Sequence, residues 1–161
     1  MSRQRAASCS HAVDLEQAEK EKSWPRYVDV SAGDVANDHF ISKDDRVYAG
    51  THLILDFWGA RELDNPQLME QTLKRCVEAA GATLLHIHLH RFSPGGGLSG
   101  VAVLAESHIS VHTWPEKAFA AFDIFMCGDT CPERAVDTLK RAFKPESVSI
   151  VEHLRGVIHD G

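Results

Sequence analysis

The rhythm of apolar and polar positions changes at Gly50. Residues 1–49 are polar and charged, with weak periodicity and few aromatics (Trp24, Tyr27, Phe40 and Tyr48). Such a stretch offers little apolar surface to offset the entropy of ordering. It is expected to be a polar N-terminal extension, flexible or only partly ordered, with at most a short amphipathic helix around Asp14–Lys22. From Gly50 the pattern becomes regular. Thr51–Phe57 (THLILDF) suits a strand, and Asp64-Asn65-Pro66 supplies a cap followed by proline at the first turn of a helix. Leu68, Met69, Leu73, Cys76, Val77 and Ala80 recur at helical spacing up to Gly81, a good stop. Thr83–Phe92 (TLLHIHLHRF) alternates as a strand does, and Ser93–Gly97 must be a loop. Val101–Ala105, Ile109–Thr113 and Ala118–Cys127 follow as strands. Pro132–Phe143 makes a second amphipathic helix before Pro145, and Val148–Leu154 closes the domain as a strand. This order predicts an α+β two-layer sandwich over residues 50–161, with a largely antiparallel sheet and both helices on one face.

Composition narrows the field without naming a function. The 161 residues suffice for one domain with a tail, and 43% hydrophobic content is ordinary for a globular core. The net charge of −6, without a basic stripe, argues against a nucleic-acid partner. No apolar run approaches the roughly 20 residues that span a bilayer, so no membrane association is expected. The N-terminus lacks a secretory apolar core. The four cysteines (Cys9, Cys76, Cys127 and Cys131) form neither a C-x-x-C motif nor an even framework. Reduced thiols in a cytoplasmic protein are the simplest reading.

The stretch with the sharpest chemical content is LAESHISVHTWPE, residues 104–116. It sets a Glu106-Ser107 bond five residues before His112, with Ser99 upstream and Cys127 downstream in FMCG. This segment resembles the self-cleavage segment of the bacterial and archaeal S-adenosylmethionine decarboxylase proenzymes. The resemblance runs from about Gly50 to Arg155 and includes GTHLILDFWGA, LDNPQLMEQTL, HRFSP, FDIFMCG and VEHLRG. It leaves out the first 49 residues. The loop from Phe92 to Ser99 departs from the family form by one extra residue within Gly95–Gly97, which bears most on the assignment of Ser99.

The resemblance implies that Ser107 attacks the Glu106 carbonyl, turning an amide into an ester through an oxyanion that needs positioned donors. Removal of the Cα proton then breaks the ester, giving chains 1–106 and 107–161. The new N-terminus becomes a covalent pyruvoyl cofactor, with loss of ammonia. His112 is implied as proton acceptor in processing, since imidazole titrates near pH 6.5, and Ser99 as a helper. On a continuous strand, Ser107 and His112 would face opposite sides, so a bend near the cleavage bond is expected. In catalysis the ketone would form a Schiff base with S-adenosylmethionine and draw electrons as carbon dioxide leaves. Cys127 is implied as the proton donor that follows, and Phe92 and Glu116 as substrate-binding residues. The product would feed spermidine synthesis, and a homodimer with sites at or near its interface is expected.

Other readings of the same residues are open. Taken singly, Ser107 and Ser110 suit ordinary strand serines, His112 a core histidine and Cys127 a small buried hydrophobe. His86, His88 and His90 project from one face of a strand, which gives a metal-binding alternative; the primary reading has no metal. Pyruvoyl chemistry on arginine or ornithine, or a non-catalytic regulatory member, completes the set.

Overall fold

The computed structural model describes residues 40–43, 45–105 and 107–158. Among these residues eight strands and two helices follow in chain order: β1 (Ile41–Lys43), β2 (Arg46–Tyr48), β3 (Gly50–Trp58), α1 (Pro66–Ala80), β4 (Leu84–Arg91), β5 (Leu98–Leu104), β6 (His108–Trp114), β7 (Phe119–Met126), α2 (Pro132–Phe143) and β8 (Ser147–Arg155). A single 3-10 turn, Pro115–Lys117, links β6 to β7. Strands β1 and β2 form a small hairpin at the end of the segment expected to be partly ordered, with Tyr48 buried. The helix considered around Asp14–Lys22 lies outside the described residues.

Six strands make one sheet in the order β4-β5-β6-β7-β3-β8, and every neighbouring pair is antiparallel. The expected α+β sandwich is what the chain forms. Period-2 alternation divides the sheet into two unlike faces. Leu53, Leu55 and Phe57 of β3, Ile109 and Val111 of β6, and Phe122, Ile124 and Met126 of β7 are all buried. Met69, Leu73, Cys76 and Val77 of α1 and Ala135, Leu139 and Phe143 of α2 complete this core. Phe122 stands at its centre, its ring centroid 5.2 Å from Phe57 and 5.9 Å from Phe143.

The helices start and stop where their end residues dictate. Asn65 has an extended backbone, and its side chain accepts a 3.0 Å hydrogen bond from Leu68 N, a backbone donor with no partner inside α1. Pro66 opens the helix, and Gly81 ends it at φ 74°, a conformation in which glycine avoids the Cβ penalty. Strand β5 begins at Leu98, three residues before the expected Val101. Gly100 belongs to the strand: a Cβ there would lie 2.5 Å from His88 O and 2.3 Å from Leu89 Cδ2. The glycine marks a close approach of β4 rather than a loop.

Candidate active site

The face of the sheet away from the helices carries the polar positions of the same strands. The pairing register sets them out in rows. One row is His86, Val103, His108, Phe125, His52 and His153; the next is His88, Val101, Ser110, Asp123, Ile54 and Val151. A third is His90, Ser99, His112, Ala121, Asp56 and Ser149. Among the exposed large apolar side chains here are Ile54, Trp58, Val103, Trp114 and Val151.

At one end of this face the structure brings Ser107 and Cys127 together. Strands β5 and β6 are joined through residues 105–107, and Leu104 N donates to Ser107 O at 2.9 Å. Ser107 therefore sits in the turn of a hairpin, one residue before β6. Its Oγ accepts a 3.3 Å hydrogen bond from Cys127 N, where β7 has just ended. Used as an acceptor, the hydroxyl keeps its own proton for transfer to a base. Gly50 makes room for the thiol: a Cβ at that position would lie 3.0 Å from Cys127 Sγ and 2.6 Å from Met126 O. Glu106 lies outside the described residues.

Further along the face are the other candidates. Ser99 and His112 are directly paired across β5 and β6. His112 then lines a cavity of about 270 Å³ with Phe92, Gly97, Leu98, Thr113, Trp114 and Glu116. The extra-glycine loop closes neatly onto this cavity. Phe92 N donates to Gly97 O at 3.2 Å and Gly96 N to Ser93 O at 2.8 Å. Thr113 locks the wall from beneath, accepting from Leu98 N and donating to Leu63 O, both at 2.8 Å. Phe92 is 67% exposed, and its ring meets His90 edge-on at 4.9 Å.

The bend expected to unite Ser107 with His112 does not do so within one chain. β6 pairs without a register shift from His108 to Trp114, so five residues of extended backbone separate the two by about 16 Å. One chain holds two half-sets: Ser107 with Cys127, and Ser99, His112, Phe92 and Glu116.

Between them lies a network that the sequence did not single out. Ser110 Oγ donates to Asp123 Oδ2 at 3.0 Å, and Asp123 Oδ1 is 3.5 Å from His52 Nε2. Arg155 Nη1 lies 3.1 Å from His52 Nδ1. Guanidinium only donates, so in neutral His52 the proton belongs on Nε2, which is buried and makes no hydrogen bond to the nearby carboxylate. The signal was present as polar residues at alternate positions of apolar runs, His52 in THLILDF and Asp123 in AFDIFM. His108, beside Ser107, has its pKa lowered by burial and by the nearby His52, with Asp123 opposing the shift.

Two other thiols have different settings. Cys76 is buried between the helices, its Sγ 3.5 Å from Ala135 O, and burial pushes it up to about 12 against the pull of Arg141. Such a thiol stays protonated and inert. Cys131 opens α2 on the surface, its Sγ 3.3 Å from Glu133 Oε2. His86, His88 and His90 do share the face, as their alternation requires, but no three His, Cys, Asp or Glu side chains among the described residues are grouped to hold a metal. No described helix is long and apolar enough to cross a membrane.

Residues 51–156 match the sequence pattern of the S-adenosylmethionine decarboxylase family. The chain is 45% identical over 115 residues to an S-adenosylmethionine decarboxylase proenzyme of Methanococcus maripaludis, covering 70% of this chain and 93% of the relative. To the proenzyme of Thermomicrobium roseum it is 40% identical over 112 residues, covering 69% and 97%. To that of Thermotoga petrophila it is 46% identical over 110 residues, covering 66% and 84%. The crystal structure of the adenosylmethionine decarboxylase from Aquifex aeolicus superposes with a TM-score of 0.63 at 30% identity, covering 71% of this chain and 96% of that one. By sequence and by fold alike, this chain belongs to the S-adenosylmethionine decarboxylase family.

Proposed function

We propose that the protein is a self-processing S-adenosylmethionine decarboxylase, cleaved between Glu106 and Ser107, with Ser107 as the precursor of a pyruvoyl group. The observation that carries this reading is the hydrogen bond from Cys127 N to Ser107 Oγ. It supports the reading by setting Ser107, the proposed nucleophile of processing, against the backbone of Cys127, the residue assigned to proton transfer. The residues present fit the group: a half-buried serine and, on its oxygen, a backbone donor that belongs to a cysteine. A pyruvoyl group supplies the electron sink for loss of carbon dioxide from a primary amine. The surrounding residues do the rest. Cys127 delivers a proton to the substrate carbon. His112 takes up the Cα proton during cleavage, and Ser99, its partner across the strands, assists there. Phe92 presents an aromatic face to a cationic sulfonium, and Glu116 accepts hydrogen bonds from ribose hydroxyls. The product leaves as an aminopropyl donor for spermidine synthesis, in the cytoplasm.

The working unit we infer is a homodimer with the two open faces together. Two features of one chain support it. The 270 Å³ cavity falls below the 300–1,000 Å³ common for small-molecule sites. The candidate groups also stand about 16 Å apart along one strand, too far for a direct proton transfer. A two-fold axis lying between the two faces and running across the strands would lay the His112 end of one chain over the Ser107 end of the other, since an isologous contact meets itself in reverse. Exposed Trp58, Trp114 and Ile54 would then be covered.

Intact mass under denaturing conditions tests the processing. The expected result is two chains, 1–106 and 107–161, the smaller one blocked at its N-terminus; a single chain after long incubation overturns it. Mixing tests the shared site. A His112→Ala chain alone should stay uncleaved, and co-refolding with a Ser107→Ala chain should restore its cleavage. If it stays uncleaved in the mixture, the site does not cross the interface.

A further inference from the structure

Every histidine among the described residues stands on the open face of the sheet. His86, His88 and His90 come from β4, His108 and His112 from β6, His52 from β3 and His153 from β8. None points into the helix layer, whose buried residues on those strands are aliphatic, aromatic or threonine. We propose that this histidine-lined face is an acid-sensitive contact that holds two copies together near neutral pH and separates them as the imidazoles take up protons. The proposal rests on the dimer inferred above.

The charge inventory gives the direction. With neutral imidazoles the face carries the carboxylates Asp56 of β3 and Asp123 of β7 and the guanidinium Arg155 of β8; β5 adds only Ser99, Val101 and Val103. Glu116 lies at its margin beside His112. Two such faces are close to neutral and rich in apolar surface, so they can meet. Protonation adds a positive charge at each histidine, far more than two aspartates per chain can offset. Because the contact is isologous, each copy meets the same charges on its partner. Burying an imidazolium among others, without a paired carboxylate, is costly.

Packing already shows the tendency within one chain. His108 lies beside His52 at 6.4 Å between ring centroids, with Phe125 at 5.7 Å, and its pKa is lowered by burial and by His52. A lowered histidine pKa in the associated state gives association that is complete above the separated chain's pKa and lost as pH falls below it. With an ordinary imidazole near 6.5, the window opens below about pH 6.5. A single histidine per chain held neutral in the dimer, and protonating only on separation, raises the dissociation constant by about 10-fold per copy at pH 5.5, about 100-fold for the pair.

Sedimentation equilibrium of the purified protein at pH 7.5 and 5.5, with circular dichroism on the same samples, tests this. The expected result is a dimer at pH 7.5, a dissociation constant at least about 100-fold higher at pH 5.5, and unchanged circular dichroism. The triple variant His86→Gln/His108→Gln/His153→Gln should shrink that pH ratio by at least about 10-fold. A dimer of equal strength at both pH values overturns the switch and leaves the dimer standing. A monomer at pH 7.5 overturns the dimer and the switch with it. Loss of the circular dichroism signal at pH 5.5, or a variant with the wild-type ratio, shows that acid acts elsewhere and overturns the proposal.

Discussion

The two faces of one six-stranded sheet are made by the same strands and obey different rules. On the covered face, Leu55, Phe57, Phe122 and Ile124 have no exposed surface, and the helices seal them from water. On the open face, one residue along each strand, stand His52, Asp123, Ser110 and His112. The covered face is selected for volume and apolarity, since its stabilisation scales with area removed from water. The open face carries groups that can donate, accept and move protons, with Ser107 and Cys127 at one end and Ser99 and His112 towards the other. Substitutions on the two faces should therefore separate stability from chemistry, and the comparison fails wherever they do not.

The largest effect is expected at Ser107. Ser107→Ala removes the proposed nucleophile, so the chain should stay at full length and release no carbon dioxide, while its urea midpoint stays near wild type. Intact mass and a carbon dioxide assay check the first part, and a denaturation curve the second. A cleaved Ser107→Ala chain would move the reaction to another residue. The covered face should give the reverse. Phe122→Ala opens a void between Phe57 and Phe143 and should cost about 3–5 kcal/mol of stability. The protein that remains folded should still process. If cleavage stopped in folded Phe122→Ala protein, the two faces would be coupled more tightly than a rigid sheet allows.

Cys127→Ser should come next. A serine hydroxyl is a far weaker acid than a thiol, so decarboxylation should fall by about 100-fold, or about 2.7 kcal/mol of barrier. Cleavage should persist, because the Cys127 backbone amide that reaches Ser107 is untouched. Turnover at the wild-type rate would show that another group delivers the proton.

Much of this arrangement was legible in the sequence. Alternation in THLILDF and in AFAAFDIFMC fixed strands and faces together, and Asn65-Pro66 and Gly81 marked both ends of α1. What escaped did so for physical reasons. The strand expected from Val101 starts at Leu98, and Gly100 belongs to it because β4 presses against that position. Ser107 and His112 are near neighbours in sequence, which invites the picture of one compact site. An extended strand keeps such neighbours apart, and only the register reveals the separation. The Ser110-Asp123-His52-Arg155 chain spans four strands, and no local pattern announces contacts between residues 103 positions apart.

The smallest effect sharpens the comparison from the scaffold side. The Asn65 side chain accepts from Leu68 N and satisfies a donor that α1 cannot pair internally. Asn65→Ala leaves that donor to water and should cost about 1 kcal/mol, whereas Asn65→Asp should retain the cap. The loss belongs wholly to the helix layer. A urea series should therefore show a lower midpoint for the alanine variant at an unchanged slope, with cleavage rate and turnover at wild-type levels below the transition. On the proposed function the open face needs the helices only to keep the sheet in place, and a cap weakened by this amount still leaves a protein of ordinary stability almost fully folded. A processing defect in Asn65→Ala, beyond the fraction unfolded, would mean that the position of α1 is read directly at the Ser107 hairpin. The separation of scaffold from chemistry would then fail at that point of contact.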